Sequence, residues 1–147
     1  MKYFGRGPFE SYIDKRHASK MGLYTSTVTE HFEHYIKPQE NMAHADTAYL
    51  AISNENGEGL LLTGADKSPS FSFNCSHFTT EQLTNTMHDY ELIPLEDTVV
   101  HIDYRHSGIG SNSCGPRLED SLRLLDKQFE FSFRILPCMT EGLRRIE

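Results

Sequence analysis

Apolar side chains occupy every second position at Phe129, Phe131, Phe133 and Ile135, with Glu130, Ser132 and Arg134 between them. These residues can point one way only if the backbone is extended, because side chains alternate across a strand but spread around a helix. The spacing predicts a strand over 129–135 with one apolar and one polar face. The aromatic members are expected to face the core. Phe71, Phe73 and Cys75 alternate with Ser72 and Asn74 in the same way and predict a second half-buried strand. Extended segments over 48–52 and 59–63 flank Asn54-Glu55-Asn56-Gly57, whose Asn-Gly pair supplies the positive φ of a hairpin turn. Residues 98–104 and 27–36 are further β-rich runs, the latter read as one long strand.

Only one segment reads as a helix. Thr79-Thr80-Glu81-Gln82 fits a capping box, with Thr79 as N-cap and Gln82 reaching back, ahead of a short helix near residues 80–87. Residues 5–14 and 105–116 are rich in Gly, Pro and polar side chains and read as loops. No linker or repeat divides the chain, so residues 1–147 are taken as a single all-β domain, an antiparallel sandwich.

A chain of 147 residues is too short for a (β/α)8 barrel, which needs about 250. Its net charge of −7 is spread along the sequence without a Lys/Arg-rich run, which argues against a nucleic-acid surface. No apolar run reaches the roughly 18 residues of a membrane helix, and the first ten residues do not read as a signal peptide. Cys75, Cys114 and Cys138 are odd in number and lack C-x-x-C spacing, which reads as reduced thiols in a cytoplasmic protein.

The motifs that carry chemistry are individually weak. Glycoside hydrolysis needs two converging carboxyl groups, and with 21 acidic residues the sequence alone singles out no pair. His31 and His34 would point to opposite faces of a strand. His101 and Asp103, followed by His106, share a face but make a poor metal set, so no metal site is assigned. Cys114 lies in a Gly/Ser-rich loop after His106, but spacing does not show a lowered thiol pKa. The Gly108-Ile109-Gly110 stretch lacks the ending of a phosphate loop. Of the aromatic residues near loops, Tyr3, Phe4, Tyr12 and Tyr104 are candidates to line a site or an interface.

The order of five segments adds what the single motifs lack. The run from Tyr3 through Gly5-Arg6-Gly7-Pro8, Glu10, Tyr12 and Asp14 to Arg16 resembles a G-R/L-G-P-x-E-x-Y-x-D-R stretch. Tyr35-Ile36-Lys37-Pro38-Gln39-Glu40-Asn41 looks like Y-V-x-P-Q-E-N. Phe73 to Leu83, ending Phe78-Thr79-Thr80-Glu81-Gln82-Leu83, is similar to a strand-then-helix segment. Asp103 with Gly108-Ile109-Gly110 and Ser113-Cys114-Gly115-Pro116 resembles a D-x-x-x-x-G-[VI]-G-x-x-x-S-[WC]-G-P loop, and 129–136 matches a closing strand. Together they resemble, in order, the C-terminal domain of bacterial β-galactosidases of glycoside hydrolase family 2.

That resemblance implies an antiparallel β-supersandwich of galactose mutarotase-like fold, of which this chain matches the later portion, as an excised fragment or the small subunit of a two-chain enzyme. It further implies retaining hydrolysis of terminal β-D-galactosides such as lactose. The catalytic glutamates belong to a separate barrel domain or large subunit, so this chain holds no catalytic residue and is expected to be inactive alone. Magnesium and sodium are expected in the holoenzyme, bound by other domains, with no cofactor in this chain. The implied partners are the catalytic barrel, the β-galactoside substrate and further copies in a homo-oligomer. The substrate-proximal candidates are Cys114, Ser113, Asn112 and Arg105, shaping the aglycone side. Arg6, Glu10 and Asp14 are candidates for structuring loops or meeting another domain. The sequence departs from the family at Met42-Ala43-His44, where Gly-Asn-Arg/His is usual, so a different turn is expected. Cys114 stands where many members carry a stacking Trp. A reading from another class is a free-standing carbohydrate-binding β-sandwich; a third is a self-contained mutarotase-type enzyme.

Overall fold

The computed structural model describes residues 1–66, 68–110 and 114–139. Its strands are β1 Lys2–Gly7, β2 Lys20–Thr25, β3 His44–Thr47, β4 Tyr49–Ser53, β5 Glu58–Gly64, β6 Phe71–Ser76, β7 Val99–Asp103 and β8 Phe133–Met139. They form a five-stranded sheet in the order β2-β1-β4-β5-β8 and a three-stranded sheet in the order β3-β6-β7. Every strand pairing is antiparallel. The single α-helix among the described residues, α1 Thr80–Asn85, is joined by short 3-10 turns at Asp89–Glu91 and Asp120–Leu122. The architecture is the expected all-β sandwich with one short helix.

Local chemistry explains several elements. Thr79 Oγ1 accepts from Gln82 N at 3.1 Å while Gln82 Oε1 accepts from Thr79 N at 2.9 Å, so the capping box closes as its spacing predicts. β4 and β5 form the expected hairpin, with Gly57 at φ 82°. β6 is the centre of the molecule. All six of its residues are buried, on both faces rather than one. Phe71, Phe73 and Cys75 meet Tyr3, Leu50 and Leu62 of the opposite sheet, and Tyr3 lies edge-on to Phe73 at 5.1 Å. The sheets approach closely at Gly5, where a Cβ would stand 2.5 Å from Thr47 Oγ1, so β1 can lie against β3 only without a side chain there.

Three expectations need correction. Residues 27–36 do not form a strand: Thr27 Oγ1 accepts from Glu30 N at 3.1 Å, and Glu30 Oε2 accepts from Thr27 N at 3.2 Å. This reciprocal capping closes a turn and outcompetes the β propensity of the run. Residues 5–14 are not all loop, because β1 extends to Gly7. The last strand begins at Phe133, not at 129, and it is no core strand. Phe129 is 58% exposed and stacks on Tyr104, while Phe133 and Ile135 are also exposed. Of that set Phe131 alone is partly buried against the core. For β8 the reason is position, since among the described residues it pairs with β5 alone and forms the sheet's edge.

Candidate functional site

The two loops read from the sequence meet at one end of the sandwich. The first, read over 5–14 and found over 8–19 between β1 and β2, is held by its own backbone. Tyr12 N donates to Lys15 O at 3.1 Å and Lys15 N returns a bond to Tyr12 O at 3.0 Å. Ser11 N donates to Ala43 O, and Ser11 Oγ accepts from Ala45 N at 2.9 Å. Buried Glu10 accepts from Met42 N at 2.9 Å with one carboxylate oxygen and from Lys15 Nζ with the other. That bond, which is the main cause, raises the Lys15 pKa against the opposing effect of burial. Met42 adopts φ 54°, the left-handed conformation that a glycine takes without steric cost.

Asp46 occupies the irregularity between His44 and Thr47 in β3, also at positive φ (55°). A bulge re-aims a side chain. The Asp46 carboxylate receives Arg6 Nε at 2.6 Å and Arg16 Nη2 on the same oxygen. Burial pushes its pKa up, but hydrogen bonds and charge from Arg6 and Arg16 outweigh burial and hold it below the ordinary carboxylate range. Nearby, burial first and the Glu10 charge second push the Tyr12 phenol above its ordinary pKa.

The second loop leaves β7 at Asp103. His106 Nε2 faces Asp103 at 3.3 Å, and its ring meets Tyr12 edge-on at 5.8 Å. Arg105 lies over the Tyr104 ring, 4.8 Å from its centroid, and donates to the Tyr104 hydroxyl at 2.7 Å. Asp14 joins the loops across the sequence. Its Oδ1 accepts from Ile109 N at 3.1 Å and its Oδ2 from Gly110 N at 2.9 Å. A Cβ at Gly108 would stand 2.6 Å from the Asp14 carboxylate, so only glycine admits this approach. From the other side, Gly108 N donates to Leu122 O and Leu124 N to Ser107 Oγ.

Between the loops lies a cleft of about 410 Å³, lined by Tyr12, Arg16, Asp46, Tyr104, Arg105 and His106 together with Ser68, Ser70 and Ser72. Of the substrate-proximal candidates, Arg105 lines this cleft and Cys114 is exposed. Asn112 and Ser113 lie outside the described residues. Arg6, Glu10 and Asp14 each make the loop contacts given above. Tyr12 and Tyr104 line the cleft, whereas Tyr3 is buried in the core and Phe4 stacks on Tyr49. Asp46 was not singled out from the sequence, because it stands 40 residues from Arg6 and 30 from Arg16 and no short-range motif joins them.

The histidines do not make a metal centre: among the described residues no group of three or more His, Cys, Asp or Glu could hold an ion. His31 packs on His44 inside the core, their ring centroids 4.4 Å apart. Burial above all, with the His44 charge, lowers the His31 pKa to about 3. Burial lowers His44 to about 4 although the Arg6 carbonyl pulls it upward. Burial pushes the Cys75 thiol up to about 12, which makes it an inert core residue. No helix among the described residues is long and apolar enough to cross a membrane.

Residues 1–135 match the family described as β-galactosidase small chain, and the chain belongs to that family. It is 43% identical over 136 residues to a β-galactosidase of Actinobacillus pleuropneumoniae, covering 92% of this chain and 13% of that one. A β-galactosidase of Staphylococcus xylosus is also 43% identical, over 135 residues and the same shares of each chain. One from Pseudoalteromonas haloplanktis is 32% identical over 95% of this chain and 13% of its own. The chain thus spans about an eighth of the length of these relatives.

Proposed function

We propose that this chain is the non-catalytic C-terminal part of a retaining β-galactosidase, completing the active site on the aglycone side while a separate barrel supplies the catalytic carboxylates. The observation that carries this reading is the chemistry of the cleft between the loops. Retaining hydrolysis needs two carboxyl groups about 5–5.5 Å apart, one of them protonated to act as acid. Among its described lining residues the cleft holds one carboxylate, Asp46, bound by two arginines and held ionised. Such a group organises loops; it does not deliver protons. Loop 105–116 meets the substrate through Arg105 and the segment Asn112-Ser113-Cys114. Cys114 offers less stacking area than the Trp common at this position, so aglycone binding leans on polar contacts. Magnesium and sodium belong to the other domains of the assembly.

A second feature supports a larger assembly. On the side of β8 a groove of about 750 Å³ is lined by Ile52, Leu60, Leu62, Val100, Ile102 and Ile135. Leu60, Ile135 and Leu136 are about half exposed. In the proposed complete enzyme this face is covered by the rest of the β-galactosidase, as a further domain or a large subunit, and the enzyme assembles as a homo-oligomer. Alone, the chain is expected to dimerise or aggregate through this edge; a monodisperse monomer in dilute light scattering counts against that.

The deciding test is hydrolysis of a chromogenic β-galactoside by the chain alone and mixed with a β-galactosidase lacking its C-terminal domain. Activity only in the mixture is expected. Activity of the chain alone that survives repurification sinks the reading. Galactoside affinity without complementation points instead to a free-standing binding module.

A further inference from the structure

We propose that Asp14 is a positioning residue for aglycone recognition: it fixes the loop that faces the non-galactose part of the substrate, without itself touching substrate. The inference rests on the active-site reading above and deepens it. Asp14 sits in the first loop, yet its two carboxylate oxygens each accept one of two consecutive backbone N–H groups, Ile109 and Gly110, some 95 residues later. A carboxylate taking two amides makes charge-assisted bonds, stronger and more directional than neutral ones. The glycines complete the device. A Cβ at Gly108 would collide with the Asp14 carboxylate at 2.6 Å, and one at Gly110 would stand 3.2 Å from Asp14 Oδ2.

The approach is built from both sides. Asp14 follows Tyr12 in the turn closed by the Tyr12–Lys15 backbone pair, and Tyr12 is buried. Behind the loop, Gly108 N is tied to Leu122 O at 2.8 Å. The position of residues 108–110 is therefore set by contacts remote in sequence, and Cys114 follows Gly110 by only four residues. Removing the carboxylate leaves two backbone donors to water and frees the loop at residues 109 and 110.

Retaining hydrolysis separates the two effects. The aglycone is present when the galactosyl-enzyme forms but absent when water hydrolyses it. An acceptor sugar returning to the aglycone side competes with water for the same intermediate. The ratio of galactosyl transfer to added glucose over transfer to water thus reads the aglycone side, independently of how much active complex has formed.

The experiment measures this ratio, with kcat and KM for lactose, in the mixture of β-galactosidase lacking its C-terminal domain with wild-type chain, Asp14→Ala, Asp14→Asn or Gly108→Ala. For Asp14→Ala and Gly108→Ala the ratio is expected to fall about tenfold and KM to rise, within the cost of misplacing a positioning group. Asp14→Asn keeps one acceptor oxygen and should recover part of the loss. An unchanged ratio in Asp14→Ala, or a uniform fall in all rates that leaves the ratio intact, overturns the inference and leaves Asp14 a structural residue. Failure of the wild-type chain to restore hydrolysis overturns the underlying reading instead, and the proposed role with it.

Discussion

Residues 71–75 and 129–135 carry the same alternation of apolar and polar side chains, yet β6, which holds the first run, is buried at all six positions while β8, which takes up only the end of the second, is exposed at six of seven. β6 is the middle strand of its sheet and packs against Tyr3, Leu50 and Leu62. β8 is an edge strand whose apolar side chains open onto the groove with Leu60 and Ile52. A period of two shows that a segment is extended; it does not say what covers the faces. In this family the contrast has a functional sense. The buried strand pairs with β3, whose irregularity holds Asp46, and with β7, from which the second loop leaves, and the open edge is where the rest of the enzyme is proposed to join.

The largest expected effect comes from emptying the buried side. Phe73 is fully buried at the centre of the aromatic cluster, so Phe73→Ala should cost about 3–5 kcal/mol in urea unfolding. Ile135→Ala on β8 should cost well under half as much when the isolated chain is kept dilute enough to remain monomeric. Equal losses would mean that β8 is covered after all, for instance by a second copy.

Next comes pH. The folded pKa values of His31 and His44, about 3 and about 4, lie below the ordinary 6.5, so the unfolded chain binds protons first as pH falls. Stability is therefore full above about 6.5 and declines as pH drops from there toward the folded values. Each histidine contributes about 1.4 kcal/mol per pH unit in that window. Urea midpoints from pH 7 to pH 5 check this, and His31→Gln should flatten the profile. A profile that stays steep in this variant would place the sensitivity elsewhere.

The smallest expected effect is at Met42. Its left-handed backbone costs a non-glycine residue about 1–2 kcal/mol, while glycine gives back part of that through greater freedom of the unfolded chain. Met42→Gly should thus stabilise by up to about 1 kcal/mol and raise Tm. A lowered Tm would show that the Met42 side chain contributes packing exceeding the strain.

What could be read from residues alone was what neighbours in the chain settle between themselves. Thr79 and Gln82 are three residues apart, so their capping box was visible as spacing and forms as drawn. Asn56-Gly57 supplied its hairpin, and the alternation in 71–75 its strand, for the same reason. Even at short range two local preferences can compete, and between residues 27 and 30 reciprocal side-chain capping prevailed over β propensity. Family membership was also legible, because five motifs in order are a property of sequence.

The site was legible as a pair of loops but not as an arrangement. Asp14 was marked as a loop-structuring candidate; its reach to Ile109 and Gly110 was not visible. Asp46 escaped notice, though it holds both Arg6 and Arg16. Such contacts span 30 to 96 residues, and no periodicity relates their ends. Only folding brings β1, the β3 bulge and the exit of β7 to one end of the sandwich. The same holds for burial: composition alone cannot tell Phe73 from Ile135, because exposure depends on which strand ends at the middle and which at the edge.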